Sequence, residues 1–317
     1  MAELQISHAL LKRLAKRTSA PESDGHLILF GLRGVVPIDV SNREFQDALA
    51  VRLTDIDNVH MRCTIGQWRR DKDNDKGKVA LFPGSTVPNL PAIRRHLQGT
   101  DQANMLPLGH FSYVKGKHKA GKPSGHRAFR QNAFFPVWRT FDNEHFDAAD
   151  WMDLGQSSDS FVGDNLHCAY VDNPASPGFS SNGCQVVCGQ PKSTARGNAD
   201  EVGPWKTFIQ NTDYGVQGEQ TRYQYSLYSS FDLATVNARP DQELKRLLRF
   251  GSTGPFVTAA QLALQHEIPF LEADGNFGRN TLEAVLRFQR GKGLTADGVI
   301  GPGTAEALGL TWPDLTA

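Results

Sequence analysis

The chain has 317 residues, enough for two domains that each bury a core. Its 34 basic and 34 acidic residues balance, which argues against nucleic acid as a partner, and no stretch approaches the ~20 consecutive apolar residues of a membrane span. Thirty glycines and 17 prolines point to many turns, and the four cysteines (Cys63, Cys168, Cys184, Cys188) do not make the disulfide framework of a small secreted fold.

The first residues, Ala2 to Leu14, carry apolar side chains at helical spacing rather than in one block. They predict an amphipathic helix in an N-terminal lead, 1–25, and not a secretory signal, so synthesis and folding in a reducing cytoplasm are expected. His26–Gly34 predicts a buried strand. Val59–Trp68 and Lys78–Thr86 predict a strand pair joined by the charged turn Arg69–Gly77. A short helix follows at Leu90–Leu97. Strands are predicted at Leu106–Val114 and Ala133–Arg139, with a basic, glycine-rich loop between them, Lys115–Arg130, holding His118 and His126. A helix at Pro204–Ile209 and a strand at Arg222–Tyr228 complete a mostly antiparallel β domain over 26–230.

Residues 231–246 lapse into a polar linker. Apolar faces at Pro255–Leu264, Thr281–Gln289 and Gly303–Leu308 then predict a small three-helix domain over 247–312, so the fold class is α+β. This domain contains a repeat. Asp274-Gly275-Asn276-Phe277-Gly278-Arg279-Asn280-Thr281 returns as Asp297-Gly298-Val299-Ile300-Gly301-Pro302-Gly303-Thr304. In each copy glycine supplies backbone angles other residues resist, an apolar residue plugs the core, and a helix begins.

Chemistry is concentrated in Ser181-Asn182-Gly183-Cys184, which leads into the β-branched run Val186-Val187, with His167 upstream. A thiol is a weak nucleophile until ionised, and a neighbouring imidazole can take its proton. The loop Asp172–Gly178 lets the chain double back, so that His167 as base and Cys184 as nucleophile lie side by side. Backbone amides around Asn182 and Gly183 are candidates for an oxyanion hole with Ser181 in the site wall, and small Gly183 would admit a substrate carbonyl. Asp164, Asn165 or a backbone carbonyl would orient His167.

Rival readings are weaker. Cys168 is expected on the strand face opposite His167, Cys188 as a packed thiol, and Cys63 carries no motif. No H-E-x-x-H or C-x-x-C spacing calls for a metal or other cofactor, although His110, His118 and His126 would permit a zinc site if they met in space. Acidic pairs such as Asp142/Glu144 and Asp147/Asp150 are too commonplace to specify a glycosidase.

The C-terminal residues, from Leu248-Arg249-Phe250-Gly251 through Gln261, Phe288-Gln289-Arg290 and Asp297-Gly298-Val299-Ile300-Gly301-Pro302, resemble the peptidoglycan-binding domain of bacterial and phage wall enzymes. That resemblance implies wall targeting. His167 with Ser181-Asn182-Gly183-Cys184, and more loosely Leu106-Pro107-Leu108-Gly109-His110-Phe111, resemble the L,D-transpeptidase catalytic domain, whose motif is a histidine followed by S-H-G-C. Asn182 replaces that family's second histidine, and Val186 stands where its arginine is common. The resemblance implies cysteine-dependent acyl transfer on peptidoglycan stem peptides, to an amine, a D-amino acid or water. A non-catalytic wall-binding adaptor and a zinc-dependent endolysin are the alternatives. Without a recognisable signal, such an enzyme would reach the wall or periplasm by phage lysis or as an injected antibacterial effector, with a secretion apparatus or an immunity protein as partner.

Overall fold

The computed structural model describes residues 3–23, 26–71, 73–147, 150–155, 161–212 and 220–316. The chain divides into two compact units. The first comprises 1–8, 23–106 and 111–230; the second comprises 9–22, 107–110 and 231–317. No helix among the described residues is long and apolar enough to cross a membrane.

In chain order the elements begin with β1 (Glu3–Ser7), α1 (His8–Arg17), β2 (Leu27–Arg33), β3 (Val35–Pro37), β4 (Ala48–Leu53), β5 (Cys63–Asp71), β6 (Lys76–Ser85) and α2 (Leu90–Leu97). Next come β7 (Gly109–His118), β8 (His126–Gln131), β9 (Val137–Arg139), β10 (Trp151–Asp153), β11 (Leu166–Cys168), β12 (Gln185–Val187), α3 (Pro204–Thr212) and β13 (Arg222–Ser229). The helices α4 (Ser230–Ala238), α5 (Pro255–Leu264), α6 (Arg279–Gly291) and α7 (Pro302–Ala307) follow.

The first unit is built on a closed barrel of order β11-β12-β6-β5-β2-β13-β7-β8. The apolar run of β2 is buried at six successive positions because the strand is central, paired antiparallel to β5 and parallel to β13. β5 and β6 form the expected hairpin, with Asp71 opposite Lys76 at its charged end. The junction that matters for chemistry is β11 against β12. These two short strands pair in parallel, His167 opposite Val186, after the loop between them has doubled the chain back.

Two expectations fail in this unit. Glu3–Ser7 is a strand, not the start of the helix, because Leu4 and Ile6 are buried with a period of two while the strand pairs with β4. The expected loop Lys115–Arg130 is mostly a β7–β8 hairpin, from Tyr113 opposite Gln131 to His118 opposite His126, and only its basic tip turns. Composition had suggested a loop, but cross-strand pairing decides the segment.

In the second unit each copy of the repeat is held by one buried glutamine. Gln261 Oε1 accepts from Gly275 N at 2.8 Å, and its Nε2 lies 2.8 Å from Asp274 Oδ1, 3.1 Å from the Asn276 carbonyl and 2.9 Å from Thr281 Oγ1. Gln289 repeats the pattern on Gly298 N (3.0 Å), Asp297 Oδ1 (2.8 Å), the Val299 carbonyl (3.0 Å) and Thr304 Oγ1 (3.2 Å). Gly275 and Gly298 sit at φ 74° and 73°, where a side chain would strain the turn, and Phe277 and Ile300 are the buried plugs.

This unit also absorbs segments expected to stand outside it. The lead helix is part of it, as Leu247 N donates to the Arg17 carbonyl at 2.8 Å. The expected linker carries α4, whose buried Asp232 pairs with Arg17 (3.5 Å) and Arg249 (3.1 Å). Buried Leu233 and Val236 explain why 231–246 folds: it has an apolar face that its polar residues concealed.

Candidate active site

Cys184 ends a turn and immediately precedes β12. Ser181 shapes the turn: its Oγ donates to the Cys184 carbonyl at 2.7 Å and accepts from Gly183 N at 3.1 Å. Two asparagines hold the turn from outside. Asn89 caps α2 by accepting from Ala92 N at 2.8 Å, donates its side-chain amide to the Phe179 carbonyl, and donates its backbone N–H to the Ser181 carbonyl at 2.9 Å. Asn104 N donates to the Asn182 carbonyl at 2.8 Å. From the core, Tyr225 Oη donates to Gln185 Oε1 at 2.9 Å, and Gln185 Nε2 donates to the Gly183 carbonyl at 3.1 Å.

These contacts occupy one of the expected oxyanion donors. The Gly183 N–H is engaged by Ser181, so it is not a ready donor. A Cβ at Gly183 would collide with the Asn104 side-chain amide, so the missing side chain serves the packing of Asn104. The Asn182 side chain lies outward, its Nδ2 donating to Asp101 Oδ2 at 3.0 Å.

His167 is buried on β11. Its Nδ1 lies 2.7 Å from the Cys168 carbonyl, which can only accept, so Nδ1 carries the proton and Nε2 is left with a lone pair. A ring nitrogen of His167, a ring nitrogen of His118 and Cys184 Sγ all lie within 4.8 Å of one another. Of the three candidates for orienting His167, the backbone carbonyl does so. Asp164 and Asn165 are placed differently. The Asn104 amide, oriented by its neighbours, donates to Asp164 Oδ2 at 2.7 Å. Asn165 N donates toward Cys184 Sγ at 3.4 Å, while its Nδ2 donates to His118 Nδ1 at 3.1 Å.

Burial displaces the titration of three groups in the site. Burial, then the proximity of Asp164, pushes the Cys184 thiol up to about 12. Burial, then His118 and His126, holds His167 well below the ordinary histidine value. Burial pushes Asp164 up to about 7, against the Asn104 hydrogen bond and Arg139. Burial thus favours the neutral thiol and the neutral imidazole over thiolate and imidazolium.

Cys184 lines a cavity of about 330 Å³ with His118, His167, Asp164, Tyr170 and Asn182. A second cavity of about 430 Å³, bordered by Lys115, Arg130, Phe161 and Asn165, shares Gly163 with the first. Cys168 departs from expectation. Although it follows His167 on the strand, its Sγ comes within 4.8 Å of ring nitrogens of His167 and His126. It is fully buried and does not line the cavity, which sets it apart from Cys184. Cys188 donates to the Val171 carbonyl at 3.4 Å, and Cys63 accepts from Thr86 Oγ1 at 3.3 Å.

The histidines expected to permit a zinc site are divided. His110 belongs to the second unit, while His118 and His126 gather around His167. The His118 ring stacks on His167 at 4.2 Å, and His126 meets it edge-on at 5.7 Å. His126 Nδ1 donates to the Ser124 carbonyl at 2.9 Å, and its Nε2 lies 3.3 Å from Tyr170 Oη. The structuring roles of Asn89 and Asn104 went unread in the sequence. Asn89 had a visible signal, an asparagine one residue before Leu90-Pro91 at a helix start, whereas Asn104 had none.

Residues 253–308 match the family model "Putative peptidoglycan binding domain". The second unit therefore contains a segment matching a peptidoglycan-binding domain, which supports peptidoglycan as a partner. An uncharacterized protein in the bpoA1 3′ region of Kitasatospora aureofaciens is 37% identical over 71 residues, covering 22% of this chain and 54% of that protein. The chain thus spans about half the length of this relative. No solved structure matches.

Proposed function

We propose that the first unit is a cysteine acyltransferase acting on peptidoglycan stem peptides, in the manner of L,D-transpeptidases, and brought to its substrate by the peptidoglycan-binding module. The observation that carries the reading is the cavity-lining Cys184, its sulfur within 4.8 Å of a ring nitrogen of His167, an imidazole whose Nδ1 is tied to a backbone carbonyl. In the reaction His167 Nε2 takes the thiol proton as sulfur bonds to the substrate carbonyl carbon. The imidazolium returns that proton to the leaving amine as the C–N bond breaks, which gives a thioester. An amine or water then attacks the thioester and regenerates the thiol. A neutral resting pair suits this sequence, because charge appears only when substrate fills the cavity. Two cavities meeting at Gly163 suit a donor and an acceptor arriving from different sides.

Muropeptides incubated with the wild type and with Cys184→Ala, then read by mass spectrometry, test the proposal. Trimmed, exchanged or cross-linked products are expected with the wild type alone, together with a covalent acyl adduct on Cys184, while both proteins sediment equally with sacculi. Full turnover by Cys184→Ala would remove the cysteine from the reaction. Sacculus binding without turnover by the wild type would favour an adaptor.

A further inference from the structure

The cluster around His167 holds more ligating atoms than a thiol–imidazole pair uses. His118 stacks on His167, and one nitrogen of each ring lies within 4.8 Å of the other and of Cys184 Sγ. Two imidazoles and a thiolate are the donor set that suits a thiophilic divalent cation of the zinc class. In tetrahedral coordination such atoms stand roughly 3.3–3.6 Å apart by the usual zinc–nitrogen and zinc–sulfur bond lengths, so small side-chain rotations close the set.

Three further features fit a cation. The Nδ1–H of His167 is fixed on the Cys168 carbonyl at 2.7 Å, the second interaction that metal-bound histidines usually have, and it leaves Nε2 as the donor. His118 is held by Asn165 at 3.1 Å, so its ring is already positioned; coordination through Nδ1 replaces that hydrogen bond, and coordination through Nε2 shifts the ring proton to Nδ1. All three residues border the same cavity, which provides an entry path and leaves the fourth coordination position open to water.

We infer that His118, His167 and Cys184 form a binding site for a zinc-class divalent cation that reversibly locks the nucleophile. Binding forms an S–metal bond and releases the thiol proton to solvent. The cation takes the His167 lone pair at the same time, so base and nucleophile are withdrawn together. The binding rests on the ligand geometry alone, while its effect on turnover rests on the proposed role of Cys184.

The full-length, reduced protein is titrated with Co²⁺ as a spectroscopic stand-in for Zn²⁺. The expected result is a thiolate-to-cobalt charge-transfer band that saturates at one equivalent, is absent in Cys184→Ala, and needs roughly tenfold or more Co²⁺ in His118→Ala. In parallel, Zn²⁺ should protect Cys184 of the wild type from alkylation by iodoacetamide, read by mass spectrometry, and a chelator should restore alkylation. No band, or a band unchanged in either variant, overturns the site. Binding without protection of Cys184 overturns the lock, as does Zn²⁺-dependent activation of muropeptide cleavage, which would make the cation a catalytic one. If Co²⁺ binds as expected and the apoprotein leaves muropeptides untouched, the acyltransfer reading fails and the site stands.

Discussion

Gln261 and Gln289 in the second unit and the Cys184 cluster in the first both bury polar groups, but they satisfy them over different ranges. Each glutamine closes its loop with partners 8 to 20 residues away, and loop and helix start are complete within one copy of the repeat. Around Cys184, Asn165 reaches His118 across 47 residues, and Asn182 reaches Asp101 across 81. The repeat pairs its groups close to home. The barrel instead holds a thiol, an imidazole and a carboxyl whose pKa values are displaced from the ordinary ones, with burial the largest cause for each. A binding module needs a fixed shape, whereas a nucleophile needs groups poised to exchange a proton.

The largest expected effect separates the two regions outright. His167→Ala should lower muropeptide turnover by roughly 10²–10⁴-fold, the usual contribution of a positioned general base. Sedimentation with sacculi should be unchanged, because the segment matching the peptidoglycan-binding domain, 253–308, does not include His167. Muropeptide kinetics and sacculus pull-down on the same preparation check both halves. Equal loss of both activities would show that the two regions are not independent.

The reverse change should fall on the other side. Gln261→Leu leaves Gly275 N–H, Asp274 and Thr281 without their shared partner, at a cost of about 2–3 kcal/mol. Gln289→Leu should cost a similar amount through Gly298, Asp297 and Thr304. Denaturant midpoints give the loss, and alkylation of Cys184 in native buffer should proceed at the wild-type rate. A neutral substitution at either glutamine would mean that the loops hold without it.

That contrast also explains what could be read from the sequence. The repeat was visible because its geometry is local: a glycine at positive φ, an apolar plug and a helix start recur together at fixed spacing. The pairing of the His167 and Cys184 segments was readable in outline from the turn-rich loop between them. The rest of the site was not. His118 and His126 lay in a stretch whose lysines and glycines suggested a loop, and only the pairing of β7 with β8, and of β8 with β11, brings them to His167. Asn104 is 60 residues from Asp164, and no periodicity links them. In the lead, Leu4 and Ile6 fit a strand as well as a helix over so short a window, and pairing with β4 settles the matter.

The smallest effect tests the second unit by pH. His110 there is pushed down to about 3, first by burial and then by Arg249, while its hydrogen bond to the Thr18 carbonyl and the charge of Asp232 act the other way. The unfolded chain takes up this proton near 6.5 and the folded chain does not, so the folded-state value is the depressed one. The contribution is complete above pH 6.5 and is lost as pH falls toward 3, at up to about 1.4 kcal/mol per pH unit. The first unit has groups of both signs. His118, pushed down to about 4 chiefly by burial, acts like His110, but Asp164, pushed up to about 7, keeps its proton when folded and loses stability as pH rises from about 4 to 7. A whole-protein pH profile therefore mixes the two, and a variant is needed to isolate His110. His110→Gln keeps an amide N–H for the Thr18 carbonyl and cannot titrate. The difference in denaturation free energy between wild type and variant should be flat above pH 6.5 and should shift by about 1.4 kcal/mol in favour of the variant by pH 5.5. A difference that stays flat to pH 4 would show that His110 takes up a proton as readily in the folded unit as in the unfolded chain.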